Sequence, residues 1–174
     1  MLTNARLAHQ PHNHSRCMNA ALARAEQICR ERNARLTPTR ELVLKLIWQN
    51  HRPIGAYQIQ DELTNVSGKT VAPPTIYRAI KFLLSLGLIH KIPSLNAFIG
   101  CPFPTSMHSN LFMICEYCGS AAEVSHAGIN KLLQAASDQA NFFLQSQSLE
   151  LFGTCMQCTN AGKTTINGSS KHEQ

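Results

Sequence analysis

Two Cys-x-x-Cys pairs are the residues of this chain whose type and spacing point most directly to chemistry. The first pair is Cys115 and Cys118, and the second is Cys155 and Cys158. Four thiolates in two close pairs can surround one tetrahedral Zn²⁺, each pair supplying two ligands from a tight turn. One pair alone could be a redox dithiol, whereas two pairs favour a structural zinc site. Such a site has no open coordination position, so it indicates stability and not catalysis.

The composition is that of a globular protein of 174 residues, which allows one domain of ordinary size or two small ones. No apolar run is long enough to cross a bilayer, and the N-terminus lacks the apolar segment of a signal peptide. We therefore expect a cytoplasmic protein with no membrane contact. In that reducing compartment, seven cysteines predict ligands or free thiols more than disulfides.

The formal charge of +6 is unevenly distributed along the chain. Residues 1–52 carry a net +6, residues 53–95 carry +2 and residues 96–174 carry −2. The basic half could face an anionic polymer such as nucleic acid. A solvated basic surface is the alternative, and charge alone does not separate the two.

Hydrophobic spacing predicts a mostly helical first half. Helices are expected over residues 20–32, after Thr37-Pro38, around Ile59, and from Pro73 to about Gly87. Two short strands, residues 88–92 and 97–101, would form a hairpin after them. This order is typical of a winged helix-turn-helix, although a generic small helical domain has the same helix count.

The second half is expected to contain a strand over residues 111–115, a helix over 129–139 and a strand over 142–152. The fold class is therefore α+β. We predict flexible tails at residues 1–18 and 161–174, a winged-helix domain at 19–95 and a zinc-binding domain at 96–160. In the first tail, His9, His12 and His14 could contact a metal weakly, and Cys17 is interpreted as a tail thiol. Cys29 is interpreted as helix packing.

The helix that begins at Pro73-Pro74 is the candidate recognition helix, because its first turns would reach base edges in the major groove. Thr75, Tyr77 and Arg78 lie in those turns. Arg78 could donate two hydrogen bonds to guanine, and Lys81, one turn later, would meet a phosphate. The alternatives are a partly buried tyrosine and an ordinary surface arginine.

Five segments together resemble the ferric uptake regulator superfamily, closest to its zinc uptake regulator branch. They are RLTPTR at residues 35–40, PTIYR at 74–78, LGLIHK at 86–91 and the two cysteine pairs. The resemblance covers about residues 20–160. It implies a winged-helix DNA-binding domain followed by an α/β dimerisation domain, in a homodimeric, metal-dependent repressor that binds double-stranded operator DNA. It also implies that Tyr57, Tyr77 and Arg78 contact the DNA.

The resemblance further implies a sensory metal site made by four residues, one of which lies in the first domain. They are His90, Cys101, His108 and Glu123. One thiolate, two imidazoles and one carboxylate suit tetrahedral zinc, and the thiolate favours zinc over iron. The segment before the first cysteine pair holds only one histidine, which argues against the iron-sensing and peroxide-sensing branches. Two zinc ions per chain are therefore expected.

The predicted function is a zinc-responsive repressor of zinc uptake and homeostasis genes. A thiol or peroxide redox sensor, or a sensor of another metal, in the same superfamily is the alternative, because oxidation of the cysteine pairs could release zinc. An enzyme is not expected. The cysteine pairs lack the preceding proline and the H-x-E of zinc deaminases, no H-E-x-x-H is present, and both sites use four protein ligands.

Overall fold

The computed structural model describes residues 13–104 and 111–163, which form a mixed α+β fold as the sequence predicts. The N-terminal part contains four helices and a small antiparallel sheet, and the C-terminal part contains a second sheet and two helices. In chain order the elements are α1 (His14–Glu31), α2 (Pro38–Ile47), β1 (Ile54–Gly55), α3 (Ala56–Ser67), α4 (Pro73–Ser85), β2 (Ile89–Ile92), β3 (Ala97–Gly100), β4 (Leu111–Cys115), β5 (Ala121–Val124), α5 (Ala127–Gln139), β6 (Leu149–Gly153) and α6 (Met156–Asn160).

The first core lies between the helices of the N-terminal part. Apolar residues at helical spacing place Val43 and Ile47 of α2 against Ile59 of α3 and Ile76 and Leu83 of α4, all buried. Pro38 follows Thr37 at the start of α2, and Pro73 opens α4, because proline lacks an N–H that the first turn would leave unbonded anyway. Both helix starts could therefore be predicted from the sequence.

The first sheet has the strand order β1-β3-β2 and is antiparallel throughout. β2 and β3 form the predicted hairpin, in register Ile89 to Gly100 and Ile92 to Ala97. Asn96 adopts a positive φ of 45° in the connecting turn. The helices and this hairpin together make a winged helix-turn-helix.

Gly100 at the end of β3 packs directly against the ring of Trp48, which follows α2. A Cβ at this position would lie 2.1 Å from Trp48 Cε2, so only glycine allows the approach. Gly87 has φ +69°, and Leu88 N donates to Leu83 O across it at 2.9 Å. The predicted helix stop at Gly87 thus closes α4 and turns the chain into β2.

The second sheet has the order β5-β4-β6, with β4 antiparallel to β5 and parallel to β6. The parallel pairing requires a crossover, and α5 provides it between β5 and β6. β4 is the central strand, and Phe112 and Ile114 on it are buried.

The two sheets share one hydrophobic cluster. Ile92 and Ile99 of the hairpin pack with Phe112, Ile114 and Ala121 of the second sheet. Ala121 N also donates to His51 O at 2.7 Å, which joins β5 to the loop after α2. The winged helix and the second sheet are therefore in direct contact.

Several predicted boundaries differ from the structure. The first helix begins at His14 and not at residue 20, so residues 14–19 are also helical. The hairpin pairing places residues 97–100 in the first sheet, and the predicted domain limits stay a prediction. The predicted strand over 142–152 is confined to Leu149–Gly153.

Three short elements had no counterpart in the sequence prediction: β1, β5 and α6. They contain two, four and five residues, and at such lengths hydrophobic periodicity gives little signal unless a turn marks the element, as residues 93–96 do for β2 and β3. Within the described ranges, no helix combines the length and apolar character needed to cross a membrane.

Candidate metal centres and DNA-binding face

The four cysteines of the two pairs converge on one point. Cys115 ends β4 and Cys118 lies in the turn after it, whereas Cys155 is the N-cap of α6 and Cys158 lies within that helix. Their sulfur atoms all lie within 4.8 Å of one another, as ligands of a single ion require. All seven cysteines of the chain are free thiols, and the sulfurs of Cys118 and Cys155 are 3.8 Å apart, too far for a disulfide.

The backbone around these cysteines holds them in place independently of the side chains. β6 pairs with β4 up to Gly153 opposite Cys115, and Glu116 N donates to Gly153 O at 2.9 Å. Gly119 N donates to Cys115 O at 2.9 Å and closes the first turn. The parallel β4–β6 pairing therefore brings together two pairs that are about forty residues apart in sequence.

Two of the four thiols, Cys115 and Cys158, have pKa values that their surroundings shift in opposite directions. Burial raises the pKa of Cys115, but backbone N–H groups of Cys118, Cys155 and Tyr117 outweigh it and lower the pKa to about 6. The bond from Cys155 N to Cys115 Sγ is 3.3 Å long. Burial and the neighbouring thiols raise the pKa of Cys158 to about 12. Four thiolates this close together would repel one another, so a bound cation is needed to balance their charge.

Three of the four predicted sensor residues meet at the junction between the sheets. His90 of β2, Cys101 after β3 and Glu123 of β5 present ligand atoms within 4.8 Å of one another. His90 Nε2 lies 3.3 Å from Glu123 Oε1. The fourth, His108, lies outside the described residues. Imidazole, thiolate and carboxylate are all donors that zinc accepts, so this set fits a zinc ion.

Burial makes this cluster costly without a metal ion. Glu123 is 5% exposed, and no other charged residue in the described ranges is buried. Burial first, and the charge of Glu123 second, raise the pKa of the Cys101 thiol to about 12, although the N–H of Phe103 opposes this at 3.3 Å from the sulfur. A carboxylate beside a buried thiol is an arrangement that a divalent cation would stabilise.

The predicted recognition helix presents one polar face to solvent. Ile76, Ala79 and Ile80 of α4 are buried, and the intervening Tyr77 is 50% exposed. Tyr57, at the start of α3, is 73% exposed. The residues predicted to contact DNA are all exposed: Tyr57, Thr75, Tyr77, Arg78 and Lys81. The half-exposed side chain of Tyr77 fits both a DNA contact and the alternative of a partly buried tyrosine.

The structure brings together a third group of potential metal ligands that was not predicted from the sequence. His14 and Cys17 of α1 and His51 of the loop after α2 also have ligand atoms within 4.8 Å of one another. The spacing of His14 and Cys17, three apart, would have been a signal had residues 14–17 been recognised as helical. His51, far along the chain, had none.

Comparison with known proteins identifies the chain's relatives. Residues 31–152 match the model of the ferric uptake regulator family. The zinc uptake regulation protein of Escherichia coli K12 is 36% identical over 138 residues, covering 79% of this chain and 80% of that protein. A peroxide-responsive repressor, PerR of Staphylococcus saprophyticus, is 24% identical over 129 residues, covering 74% of this chain and 85% of that protein.

Two solved structures share the fold. A zinc uptake regulator complexed with zinc and DNA has a TM-score of 0.77 and 34% identity, covering 83% of this chain and 97% of that one. The holo form of XcZur has a TM-score of 0.73 and 38% identity, covering 82% and 99% of the two chains. The matched family model spans residues 31–152, which is more than half of this chain. The chain therefore belongs to the ferric uptake regulator family.

Proposed function

We propose that this protein is a zinc-responsive transcriptional repressor that binds operator DNA as a homodimer and controls zinc uptake genes. The observation that carries the proposal is the junction of His90, Cys101 and Glu123, which joins the DNA-binding domain to the second sheet with donors suited to zinc. The chain is a transcriptional regulator and not an enzyme, and its family relatives are regulators too. A cytoplasmic location is part of the proposal, because the protein must reach operator DNA.

Ligation at this junction would couple zinc to the placement of the DNA-binding domain. His90 belongs to the wing hairpin, and Glu123 belongs to β5 of the second domain. Coordination by both, with Cys101 and His108 as the further proposed ligands, would hold the hairpin against the second sheet. The position of α4 relative to a dimer partner sets which half-site spacing the protein can bind. Zinc that favours this arrangement must in turn bind more tightly when DNA is present.

Exposed apolar residues on the second domain support a homodimer. Phe142 and Phe143, between α5 and β6, are 63% and 83% exposed, and Leu151 and Phe152 on β6 are half exposed. β6 is an edge strand of its sheet. An apolar patch beside an open strand edge is costly in water and is commonly covered by a partner.

The Cys₄ cluster supports a second, permanent zinc ion in each chain. Ligation by Cys115, Cys118, Cys155 and Cys158 would use all four coordination positions, so its role would be structural. It would secure α6 to the end of β4. The Cys₄ cluster and the sensor would together hold two zinc ions per chain, one permanent and one exchangeable.

A thiol redox sensor is the competing function. The sulfurs of Cys118 and Cys155 are already within 3.8 Å, so oxidation could join them and displace a metal ion. This reading predicts loss of DNA binding with peroxide and no response to free zinc at the second site.

The test is DNA binding at controlled free zinc. Duplexes would first be selected by the zinc-loaded protein from a random-sequence library, so that no operator sequence is assumed. Fluorescence anisotropy with the selected duplex would then follow binding across a series of buffered zinc concentrations, with iron(II) and nickel(II) in parallel. Zinc per chain would be counted by mass spectrometry at each point.

We expect binding to begin as the second zinc ion enters, and His90→Ala to abolish that response while keeping the Cys₄ zinc. His126→Ala, at the exposed histidine that is the N-cap of α5, is the matched control and should respond like the wild type. Binding that is already complete with one zinc per chain, or a His90→Ala variant with a normal zinc response, would overturn the sensor assignment.

A further inference from the structure

His14, Cys17 and His51 form a cluster of metal-binding side chains that the proposed sensor and structural sites do not use. Their ligand atoms lie within 4.8 Å of one another, and all three side chains are partly buried. The cluster belongs entirely to the first domain, at the contact between α1 and the loop that follows α2. Its chemistry is that of two imidazoles and one thiol.

Two elements bring the cluster together. His14 and Cys17 occupy positions three apart in the first turn of α1, so their side chains project from the same face. His51 lies in the loop between α2 and β1, and its ring is 4.5 Å from that of His14, centroid to centroid, at 66°. The three side chains therefore face a common point from two segments that are far apart in sequence.

The orientation of the His14 ring is fixed by a backbone contact. His14 Nε2 donates a hydrogen bond to the carbonyl oxygen of Trp48. A carbonyl only accepts, so Nε2 carries the proton, and in the neutral ring the lone pair is on Nδ1. Metal-binding histidines commonly donate their second N–H to a backbone carbonyl, which fixes the tautomer and raises the basicity of the ligating nitrogen.

We propose that His14, Cys17 and His51 are three protein ligands of a further Zn²⁺ site. Two imidazoles and a thiolate are donors that zinc favours, and a set of three leaves the fourth tetrahedral position for water or an exogenous ligand. A cavity of about 190 Å³ adjoins the cluster and gives solvent a route to it, with Cys17, Trp48 and His51 in its lining. Arg24 also lines this cavity, and its guanidinium donates to Pro102 O.

The position of the site gives it a structural consequence. Ligation would fasten the start of α1 to the loop after α2, where the backbone O of His51 accepts from Ala121 N of β5. Glu123 of the proposed sensor lies two residues further along that strand and lines the same cavity. Metal at this cluster would therefore stabilise the contact between α1, the loop and the second sheet. The site does not depend on the proposed function, since it involves none of the residues assigned to DNA or to zinc sensing.

Zinc counting tests the site directly in the full-length protein. Native mass spectrometry across buffered free zinc should show one more zinc ion per chain in the wild type than in Cys17→Ser or His51→Ala. His126→Ala, with an exposed histidine, and Cys29→Ala, with a buried thiol in the same helix α1, are the matched controls. Both should keep the wild-type count. Equal counts in the wild type and in both ligand variants would overturn the proposal.

Cobalt spectroscopy separates this site from the sensor. In a Cys101→Ser background that retains zinc in the Cys₄ cluster, added Co²⁺ should give a thiolate-to-cobalt charge-transfer band in the near ultraviolet. The double variant Cys17→Ser/Cys101→Ser should lose that band, because Cys17 is the thiolate ligand proposed. A band of equal intensity in the two proteins would show that the thiolate is not Cys17 and would overturn the assignment. Loss of sensor function alone would leave this difference unchanged.

Discussion

The buried thiol of Cys101 must lose a proton before it can bind a metal ion as a thiolate. Burial, with a smaller contribution from Glu123, raises its pKa to about 12, so the thiol is protonated at neutral pH. Zinc binding at the sensor should therefore release this proton. We expect zinc affinity there to increase about tenfold per pH unit between about pH 7 and 9. Competition with a chromophoric chelator, corrected for the chelator's own protonation, would measure the slope.

A matched variant isolates the thiol's contribution at this residue scale. Cys101→Ser replaces the titrating sulfur with a hydroxyl that keeps its proton, so its weaker zinc binding should change less with pH. The Cys₄ zinc, which sits elsewhere, should be retained in both proteins. A slope near zero in the wild type would mean that Cys101 does not bind the metal as a thiolate.

At the scale of single elements, we expect different residues of α4 to contact DNA bases and DNA phosphates. Arg78 lies in an early turn and Lys81 one turn later, both exposed. If Arg78 reads a guanine, Arg78→Ala should cost about 1–3 kcal/mol on the selected duplex and relax the preference at one base pair. Lys81→Ala should weaken all duplexes alike and reduce the salt slope by about one. Anisotropy titrations at several salt concentrations would measure both.

Lys131→Ala serves as the charge-matched control for Lys81→Ala. Lys131 is exposed on α5, in the second domain, and should contribute little to either the affinity or the salt slope. A change that is the same for cognate and scrambled duplexes in Arg78→Ala would contradict the assignment of Arg78 to base recognition.

At the scale of the whole molecule, the Cys₄ cluster should decide whether the second domain folds and dimerises. It joins the end of β4 to α6, and the energy of zinc binding at such sites is folding energy. Cys115→Ser/Cys118→Ser should therefore lose one zinc ion, melt at a lower temperature and sediment as a monomer. Analytical ultracentrifugation and thermal denaturation would show this. Cys29→Ala, which removes a thiol from the first core, should keep the wild-type zinc content and remain a dimer.

Strong chelation offers a check on the same prediction without mutation. A dimer that persists after the last zinc ion has been removed would contradict a structural role for the cluster. Its assembly would then rest on the exposed apolar residues around β6 alone.

Local signals explain which parts of the fold could be predicted from the sequence. Pro38 and Pro73 open helices, Gly87 closes one, and Leu111–Cys115 was predicted as a strand with the bounds that the structure gives it. These signals operate within a few residues, so they need no knowledge of distant partners. The start of α1 was missed because its first turn is polar, and His14 in that turn contacts Trp48 and His51, which are distant in sequence.

The candidate sites show the same division between local and distant information. The exposed face of α4 follows from helical periodicity, so Thr75, Tyr77 and Arg78 could be placed on it in advance. The Cys-x-x-Cys spacing predicted the two halves of the Cys₄ cluster. The parallel pairing of β6 with β4 brings those halves together. The meeting of His90 with Glu123 depends on the packing of two sheets, and it was anticipated only through the resemblance to a family.

By itself, the sequence determined the residue chemistry: two dithiol turns, a basic N-terminal half, a helix with an exposed Tyr-Arg face and the family to which these belong. Only the tertiary structure decided which distant donors share a point in space, as with His14, Cys17 and His51. The physical reason is the sequence separation over which the interactions act. Turns, caps and periodicity are encoded by neighbours along the chain, whereas ligand convergence arises from the burial of apolar faces and from strand register, which depend on the whole fold.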